Sequence, residues 1–388
     1  MKLKFYFFSL LFFSFFYPSI CTCQPYPNPR YLNPEYFTKE KIKADTDVVY
    51  GESVDWKGVS KKQKFNIYYP SGNYDVLKRR PFIMLMHGGG FQEDDITQKK
   101  QWNNLCMMFA QRGFVTSSID YRVGWDYHDK EINPKSKVRP SYTRAAYRAY
   151  QDGHAAIRFF VHHAHEYGID TNAIFIGGRS AGGEMGLVMA FLSQRNIDSL
   201  CNSLIPENCH QLYGSIDSST NTLTDKFKIK GVINMWGPIA DTSFISKEEA
   251  LATSLIMFHG TKDKSVPYKR LGPPDYPYTR DGSFNIAQRY KHMGGCYELN
   301  TKVEGTHSQD FSNEFLADHV GAFINSVLNF ECEPKELETT VSVDTNVETF
   351  ITSGLFIPLS LLMVALILIV ILIRLVIVKR RKRKKMML

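Results

Sequence analysis

A single serine, Ser180, lies among five glycines in the segment GGRSAGGEMG at residues 177–186. Gly178, Ser180 and Gly182 fit the pattern G-x-S-x-G, in which a sharp turn from a strand into a helix exposes the serine hydroxyl. A serine held in this way can attack a carbonyl carbon when a nearby base accepts its proton. Because the pattern is short, a flexible glycine loop is the alternative. Residues elsewhere in the chain distinguish the two interpretations.

Two further residues could activate this serine. Asp263 in FHGTKDKSVPY and His307 in VEGTHSQDF each follow an apolar segment that is typical of a buried strand. A histidine can accept the serine proton, and an aspartate can hold the imidazole in the required tautomer and stabilise its charged form. The sequence therefore predicts a triad of Ser180, His307 and Asp263.

The glycines in LMHGGGF at residues 85–91 supply a third chemical requirement. Attack on an ester carbonyl places negative charge on oxygen, and preorganised backbone N–H groups stabilise that charge without loss of side-chain entropy. We predict an oxyanion hole formed by the N–H groups of Gly89, Gly90 and Ala181.

The elements that must position these residues alternate along the chain. Strand-like segments such as RPFIMLM, AIFIGG and SLIMFHG are followed by segments with helical periodicity. This alternation predicts an α/β fold with a mostly parallel central sheet and helices on both faces. Ligands of such sheets bind at the carboxyl ends of the strands, where the predicted triad residues lie. Residues 197–227, rich in Ser, Thr and Asn, are expected to form a surface insertion.

These motifs give the chain a family resemblance. Residues 81–325 resemble the α/β-hydrolase esterases and lipases that carry an HGGG motif, including carboxylesterases and feruloyl-esterase-like enzymes. The order Ser180, Asp263, His307 is the order of that superfamily, and SIDYR at residues 118–122 is similar to its D-Y-R strand end. The resemblance implies an α/β-hydrolase fold and hydrolysis of small-molecule or lipid carboxylic esters through an acyl-enzyme intermediate.

Two other functions are alternatives on the same fold. One is a serine peptidase of the prolyl-peptidase-like type, against which the HGGG turn favours esters. The other is a catalytically silent adhesion or receptor protein, which would not need an intact triad together with the oxyanion glycines. We expect no cofactor and no metal, because His162, His163 and His165 point to different faces of a helix and no HExxH spacing exists.

Three residues near the expected site have two interpretations each. Phe91 and Trp236 follow strand ends and could line the substrate pocket or be core aromatics. Asp152 opens a helical stretch, where packing or hydrogen bonding is the more frequent explanation than catalysis.

Both ends of the chain predict membrane targeting. Residues 1–23 have the layout of a cleaved signal peptide, and residues 354–378 are long and apolar enough for a transmembrane helix. The polar segment 333–350 is expected to be a stalk between that helix and a catalytic domain at residues 24–332. The basic run in the tail, residues 379–388, predicts a cytoplasmic end near anionic lipid. The chain is therefore predicted to be a single-pass type I protein with its catalytic domain in the lumen or outside the cell.

The net charge of +8 reflects these ends. Without Lys2, Lys4, Arg374 and the seven basic residues at 379–385, the remainder carries a charge of about −2, which gives no ground for nucleic-acid binding.

The cysteines fit an oxidising compartment. Cys201 and Cys209 flank a short polar loop, and Cys296 and Cys332 flank the last strand and helix, so we predict these two disulfides. Cys106 is expected to be a small buried hydrophobe.

Overall fold

A computed structural model describes residues 30–92, 96–126, 140–205, 207–271, 280–307 and 310–332. The segments predicted to be a signal peptide, a stalk, a transmembrane helix and a basic tail lie outside these residues. Among the helices that are described, none combines the length and the apolar character needed to cross a bilayer.

Within these ranges the chain forms ten strands and nine α-helices. The strands are β1 (Ile42–Val54), β2 (Ser60–Pro70), β3 (Arg80–Met86), β4 (Val115–Ile119), β5 (Ile169–Arg179), β6 (Gly231–Met235), β7 (Ser254–Gly260), β8 (Arg270–Leu271), β9 (Arg280–Asp281) and β10 (Tyr297–Lys302). The helices are α1 (Ile96–Gln111), α2 (Pro140–His162), α3 (Ala164–Tyr167), α4 (Ala181–Phe191), α5 (Gln194–Leu204), α6 (Cys209–Tyr213), α7 (Lys247–Ala252), α8 (Ser283–Met293) and α9 (Asn313–Leu328).

Eight of the strands form one sheet in the order β1-β2-β4-β3-β5-β6-β7-β10. The pairs from β4 to β10 are parallel, and only β1–β2 and β2–β4 are antiparallel. The mostly parallel sheet predicted from the alternation of elements is therefore present. Strand β1 was not predicted, because Tyr50 is its one buried residue and its sequence lacks an apolar run.

The two faces of the sheet carry separate layers of core. Phe82, Met84 and Met86 of β3 belong to one hydrophobic cluster, which includes side chains of α2, α4 and α8. Ile83 and Leu85 of β3 belong to a second cluster, which includes side chains of α1 and α9. Because both faces are covered, every residue of β3, β6 and β7 is buried, which explains their continuous apolar sequences.

The segment 197–227 differs from the predicted polar insertion. It includes most of α5 and all of α6, and Ile197, Cys201 and Leu204 of α5 are buried in the main core. These three residues follow the spacing i, i+4, i+7, so an apolar stripe packs inwards although most of the surrounding residues are polar.

Both predicted disulfides are present, Cys201–Cys209 and Cys296–Cys332. The first joins α5 to α6, and the second joins the residue before β10 to the chain just beyond α9. Cys106 is a buried free thiol, as expected.

Candidate active site

The turn that carries Ser180 is tight and strained. Strand β5 ends at Arg179 and α4 begins at Ala181, which leaves Ser180 alone between them with φ +52° and ψ −115°. A positive φ is unfavourable for a residue with a side chain and is tolerated where the surrounding structure enforces it. Here the Ser180 N–H donates to the Met235 carbonyl of β6 at 2.9 Å.

The glycines beside Ser180 are required by the close approach of another strand. A Cβ atom at Gly178 or Gly182 would come within 2.0 Å of the Met86 carbonyl oxygen at the end of β3. A Cβ at Gly183 would come within 2.5 Å of the Asn234 side chain. The glycine-rich sequence thus allows β3, β6 and the start of α4 to crowd against the serine.

We expect Gly182→Ala to destabilise the protein by about 1–3 kcal/mol, the usual cost of overpacking a well-packed core. The added methyl group would meet backbone atoms, which cannot move aside as a flexible side chain can. Urea unfolding of the variant measures this loss. Gly72→Ala is the matched control, since a Cβ at Gly72 has no neighbour within 4 Å. Equal stabilities for the two variants would contradict the steric explanation.

The structure brings the three predicted triad residues together. His307 Nε2 lies 2.9 Å from Ser180 Oγ, and His307 Nδ1 lies 2.7 Å from Asp263 Oδ2. Because the carboxylate can only accept, Nδ1 carries the proton and Nε2 is left as an acceptor for the serine hydroxyl. This is the tautomer that a general base for Ser180 needs.

Asp263 is held as a carboxylate by several donors. Its side chain is fully buried, and its Oδ1 accepts from the backbone N–H groups of Ser265 at 2.8 Å and Val266 at 2.9 Å. Burial alone would raise the pKa of Asp263, but hydrogen bonds from His259, from His307 and from the Val266 N–H together hold that pKa well below its usual value. The acid is therefore ionised at neutral pH.

A second histidine, His259, contacts the same carboxylate. It is completely buried at the end of β7, and its Nε2 lies 3.2 Å from both Asp263 Oδ2 and the Val266 carbonyl oxygen. Since both neighbours are acceptors, Nε2 carries a proton, and Nδ1 accepts from the Ser283 hydroxyl at 2.8 Å. Sequence reasoning missed His259, although its position four residues before Asp263 was the available signal.

The predicted oxyanion groups lie in backbone suited to them. Gly89 and Gly90 have φ values of +102° and +60°, conformations that glycine adopts at little cost. Ala181 is the first residue of α4, where the N–H has no partner within the helix. No acceptor for the N–H groups of Gly89, Gly90 or Ala181 is found within the described ranges.

Two aromatic side chains fix this glycine turn. The Tyr121 hydroxyl donates to the His87 carbonyl at 2.7 Å, and its ring stacks on the His87 imidazole with centroids 4.2 Å apart. Trp125 Nε1 donates to the Gly90 carbonyl at 3.1 Å. Tyr121 belongs to the SIDYR segment, so the structure gives that motif a role in holding the turn.

Phe91 and Trp236 are both buried aromatics with positive φ. The Phe91 ring packs edge-on against Tyr142 and Tyr150 with centroids 5.5 Å and 6.2 Å away. The Trp236 ring lies 6.4 Å from the His307 ring. Direct contact of either side chain with substrate stays a prediction.

Asp152 and the histidine cluster have structural partners. Asp152 is fully buried and accepts from the Arg122 backbone N–H at 2.6 Å and from Arg122 Nε. His162 Nδ1 contacts Asp225, and His163 Nδ1 contacts Glu166. The described ranges contain no group of three or more His, Cys, Asp or Glu side chains that could hold a metal ion.

Comparisons with known proteins agree with this architecture. The BD-FAE family matches residues 65–251. Isoprenylcysteine alpha-carbonyl methylesterase ICME of Arabidopsis thaliana is 24% identical over 253 residues, which cover 60% of this chain and 51% of that protein. This chain therefore matches about half the length of that relative.

A solved structure extends the comparison to the fold. The propionate-bound esterase Est2 of Thermogutta terrifontis superposes with a TM-score of 0.50 at 19% identity, covering 77% of this chain and 98% of that one. This chain has an α/β-hydrolase-like fold. In this chain the fold consists of the eight-stranded sheet, with antiparallel pairs only at its β1–β2–β4 side, and the serine turn after β5.

Proposed function

We propose that this protein is a serine hydrolase that cleaves carboxylic esters through an acyl-enzyme intermediate. One observation carries the proposal: the continuous hydrogen-bonded path from Ser180 Oγ through His307 to Asp263, with contacts of 2.9 Å and 2.7 Å. The path lies at the carboxyl ends of parallel strands, where such sheets bind their ligands.

The first half of the reaction forms the acyl-enzyme. Ser180 Oγ attacks the ester carbonyl carbon while His307 Nε2 takes the hydroxyl proton, and Asp263 stabilises the imidazolium. The carbonyl oxygen becomes an oxyanion facing the N–H groups of Gly89, Gly90 and Ala181. When the tetrahedral intermediate collapses, the bond to the alcohol oxygen breaks and His307 returns the proton to that oxygen.

The second half releases the acid. A water molecule gives a proton to His307 and attacks the acyl carbon, and the resulting intermediate expels Ser180 Oγ, which recovers the proton. The products are one alcohol and one carboxylic acid, and the enzyme is regenerated without a cofactor.

Esters are favoured over peptides by the relatives, which are named as a methylesterase and an esterase. The test compares p-nitrophenyl butyrate with a p-nitroanilide of a proline-containing dipeptide. We expect hydrolysis of the ester and little or none of the anilide. Preferential cleavage of the anilide would favour a peptidase, and no hydrolysis of either would favour a silent binding protein.

The topology is a further part of the proposal. The layouts of residues 1–23, 354–378 and 379–388 support a type I membrane protein with its catalytic domain in the lumen or outside the cell and a basic tail near anionic lipid. The two disulfides within the catalytic domain also fit an oxidising compartment.

We expect a chain that ends at Thr349 to be secreted as an active esterase, since the described triad lies entirely before that residue. Esterase activity in medium and in cell lysate measures this outcome. An epitope after Leu388 in the full chain should be protected from protease added outside sealed cells. Activity confined to the cytosol, or cleavage of that epitope from outside, would contradict the topology.

For His259, we expect replacement by Phe to lower kcat about 10-fold with little change in KM. The substitution removes the Nε2–H that helps to orient Asp263, and misplaced catalytic groups reduce turnover. His259→Gln should recover part of kcat, because its amide can donate to the same carboxylate. Steady-state kinetics of both variants measure kcat and KM separately. A change in KM alone would contradict a positioning role.

A further inference from the structure

An apolar cavity is lined by Glu184, which lies one helical turn beyond Ser180, and none of the proposed steps uses it. It contains about 550 Å³ of space that atoms do not fill, part of it open to solvent. Val188, Ile197, Leu200, Leu204 and Pro238 contribute its apolar wall. Three of these residues belong to α5, so the segment predicted as a surface insertion forms one side of the cavity.

The connection to the serine is made by Glu184. This residue lies in the first turn of α4, and its backbone N–H donates to the Ser180 carbonyl at 2.9 Å. One turn of helix advances by about 5.4 Å, and the Glu184 side chain lines the cavity. Phe91, the residue directly after Gly90, packs against Tyr142 and Tyr150, which also line the cavity, so the cavity adjoins the glycine turn of the candidate site.

The Glu184 carboxylate is the centre of a small polar network in this wall. Oε1 accepts from the Tyr150 hydroxyl at 2.9 Å, and Oε2 accepts from the Tyr142 hydroxyl at 3.3 Å. Arg280 Nη2 in turn donates to the Tyr142 hydroxyl at 3.2 Å. Burial raises the pKa of Glu184, against the opposing effects of Arg280 and the two tyrosines.

The carboxylate has unused hydrogen-bonding capacity. Two carboxylate oxygens offer about four acceptor sites, and donors among the described residues occupy two of them. The side chain is only partly buried, and it lines the cavity. The remaining acceptor sites are thus within reach of a bound molecule that can donate a hydrogen bond.

Glu184 and Arg280 both line the cavity, so its polar side holds an acceptor and a cation that stabilises it. A charged ligand group would lose its hydration in this largely apolar wall, which is costly. A neutral hydroxyl avoids that cost and can donate to the carboxylate. The apolar wall meanwhile suits a hydrocarbon body.

Resting on the proposed ester hydrolysis, we propose that this cavity binds an apolar ester substituent that ends in a neutral hydroxyl, which donates to Glu184. The substrate class is accordingly an ester with a hydroxyl-bearing hydrocarbon group on one side of the scissile bond. Plain alkyl esters of the same length should be poorer substrates, because they leave the carboxylate without that donor.

The experiment uses matched pairs of substrates with the purified protein. One arm compares p-nitrophenyl alkanoates with the ω-hydroxyalkanoates of equal chain length, and the other compares butyrates of alkanols and of matching diols. In one arm, at the chain length that reaches Glu184, the hydroxyl member should have the higher kcat/KM. The arm that shows this preference identifies whether the acyl or the alcohol group enters the cavity.

Glu184→Leu should shift the hydroxyl-to-methyl ratio of kcat/KM by about 10- to 100-fold toward methyl, the range of a hydrogen bond to a charged group. Glu184→Gln, which keeps one acceptor and a similar shape, should give an intermediate ratio. Each ratio is measured within one variant, so a smaller folded fraction does not alter it.

Val188→Ala is the matched control, because it changes the cavity wall without changing an acceptor. It should weaken both members of a pair and leave their ratio unchanged. A methyl preference at every length in both arms of the native protein, or an unchanged ratio in Glu184→Leu, would overturn the inference. Failure of the proposed function looks different: p-nitrophenyl acetate would be left intact, or would be cleaved equally by Ser180→Ala.

Discussion

Replacing Ser180 with alanine should abolish ester hydrolysis, with a loss of about 10⁶-fold in kcat. The hydroxyl oxygen is the only heavy atom removed, and it is the atom that forms the acyl-enzyme in the proposed reaction. The same variant should fail to react with a fluorophosphonate probe, which labels an activated serine. Hydrolysis of p-nitrophenyl butyrate and gel-based labelling measure the two effects.

The fold should survive this change. The Ser180 backbone makes the contacts that define the turn, including the 2.9 Å bond to Met235, and alanine keeps them. Circular dichroism and the unfolding midpoint should match those of the native protein. Ser243→Ala removes an exposed hydroxyl elsewhere and should leave labelling intact. Full labelling of Ser180→Ala would refute Ser180 as the nucleophile.

Asp263→Asn should lower kcat by about 10⁴-fold through the wrong tautomer of His307. The asparagine amide can donate to Nδ1 at the 2.7 Å contact, which places the imidazole proton on Nε2. That nitrogen would then face Ser180 Oγ as a donor and could not accept its proton. Fluorophosphonate labelling should slow in parallel, because it depends on the same base.

A neighbouring carboxylate provides the control. Asp310 accepts from the Thr306 backbone N–H at 2.6 Å, one residue before the histidine. Asp310→Asn should cause a much smaller loss than Asp263→Asn. If the order were reversed, Asp310 would have to be the acid of the triad.

Much of this site could be read from residue types and their order. The serine turn, the glycines at 88–90 and the strand ends before Asp263 and His307 are local patterns, and local backbone demands create them. Gly178 and Gly182 illustrate the link, because the backbone of β3 leaves no room for a side chain there. Both disulfides were likewise predictable from the elements that their cysteines flank.

Other features lacked a local signal. Strand β1 buries a single residue and is recognisable only by its pairing with β2. The contacts of Glu184 involve Tyr142 and Tyr150 of α2, about 40 residues earlier in the chain. The polar composition of residues 197–227 concealed the apolar stripe of α5 that lines the cavity.

The residue types and their order specify which chemistry is available: a serine in a sharp turn, a histidine, an aspartate and unencumbered glycine N–H groups. Which of these groups meet depends on how the chain folds. Ser180 and His307 are 127 residues apart in the chain, yet Ser180 Oγ lies 2.9 Å from His307 Nε2. Asp152, by contrast, is hydrogen-bonded to Arg122. The sheet explains this outcome, because parallel pairing places the carboxyl ends of β3, β5, β7 and β10 on the same side of the molecule. The contacts of His259 lie at these strand ends, whereas those of Glu184 arise where α2 packs against α4.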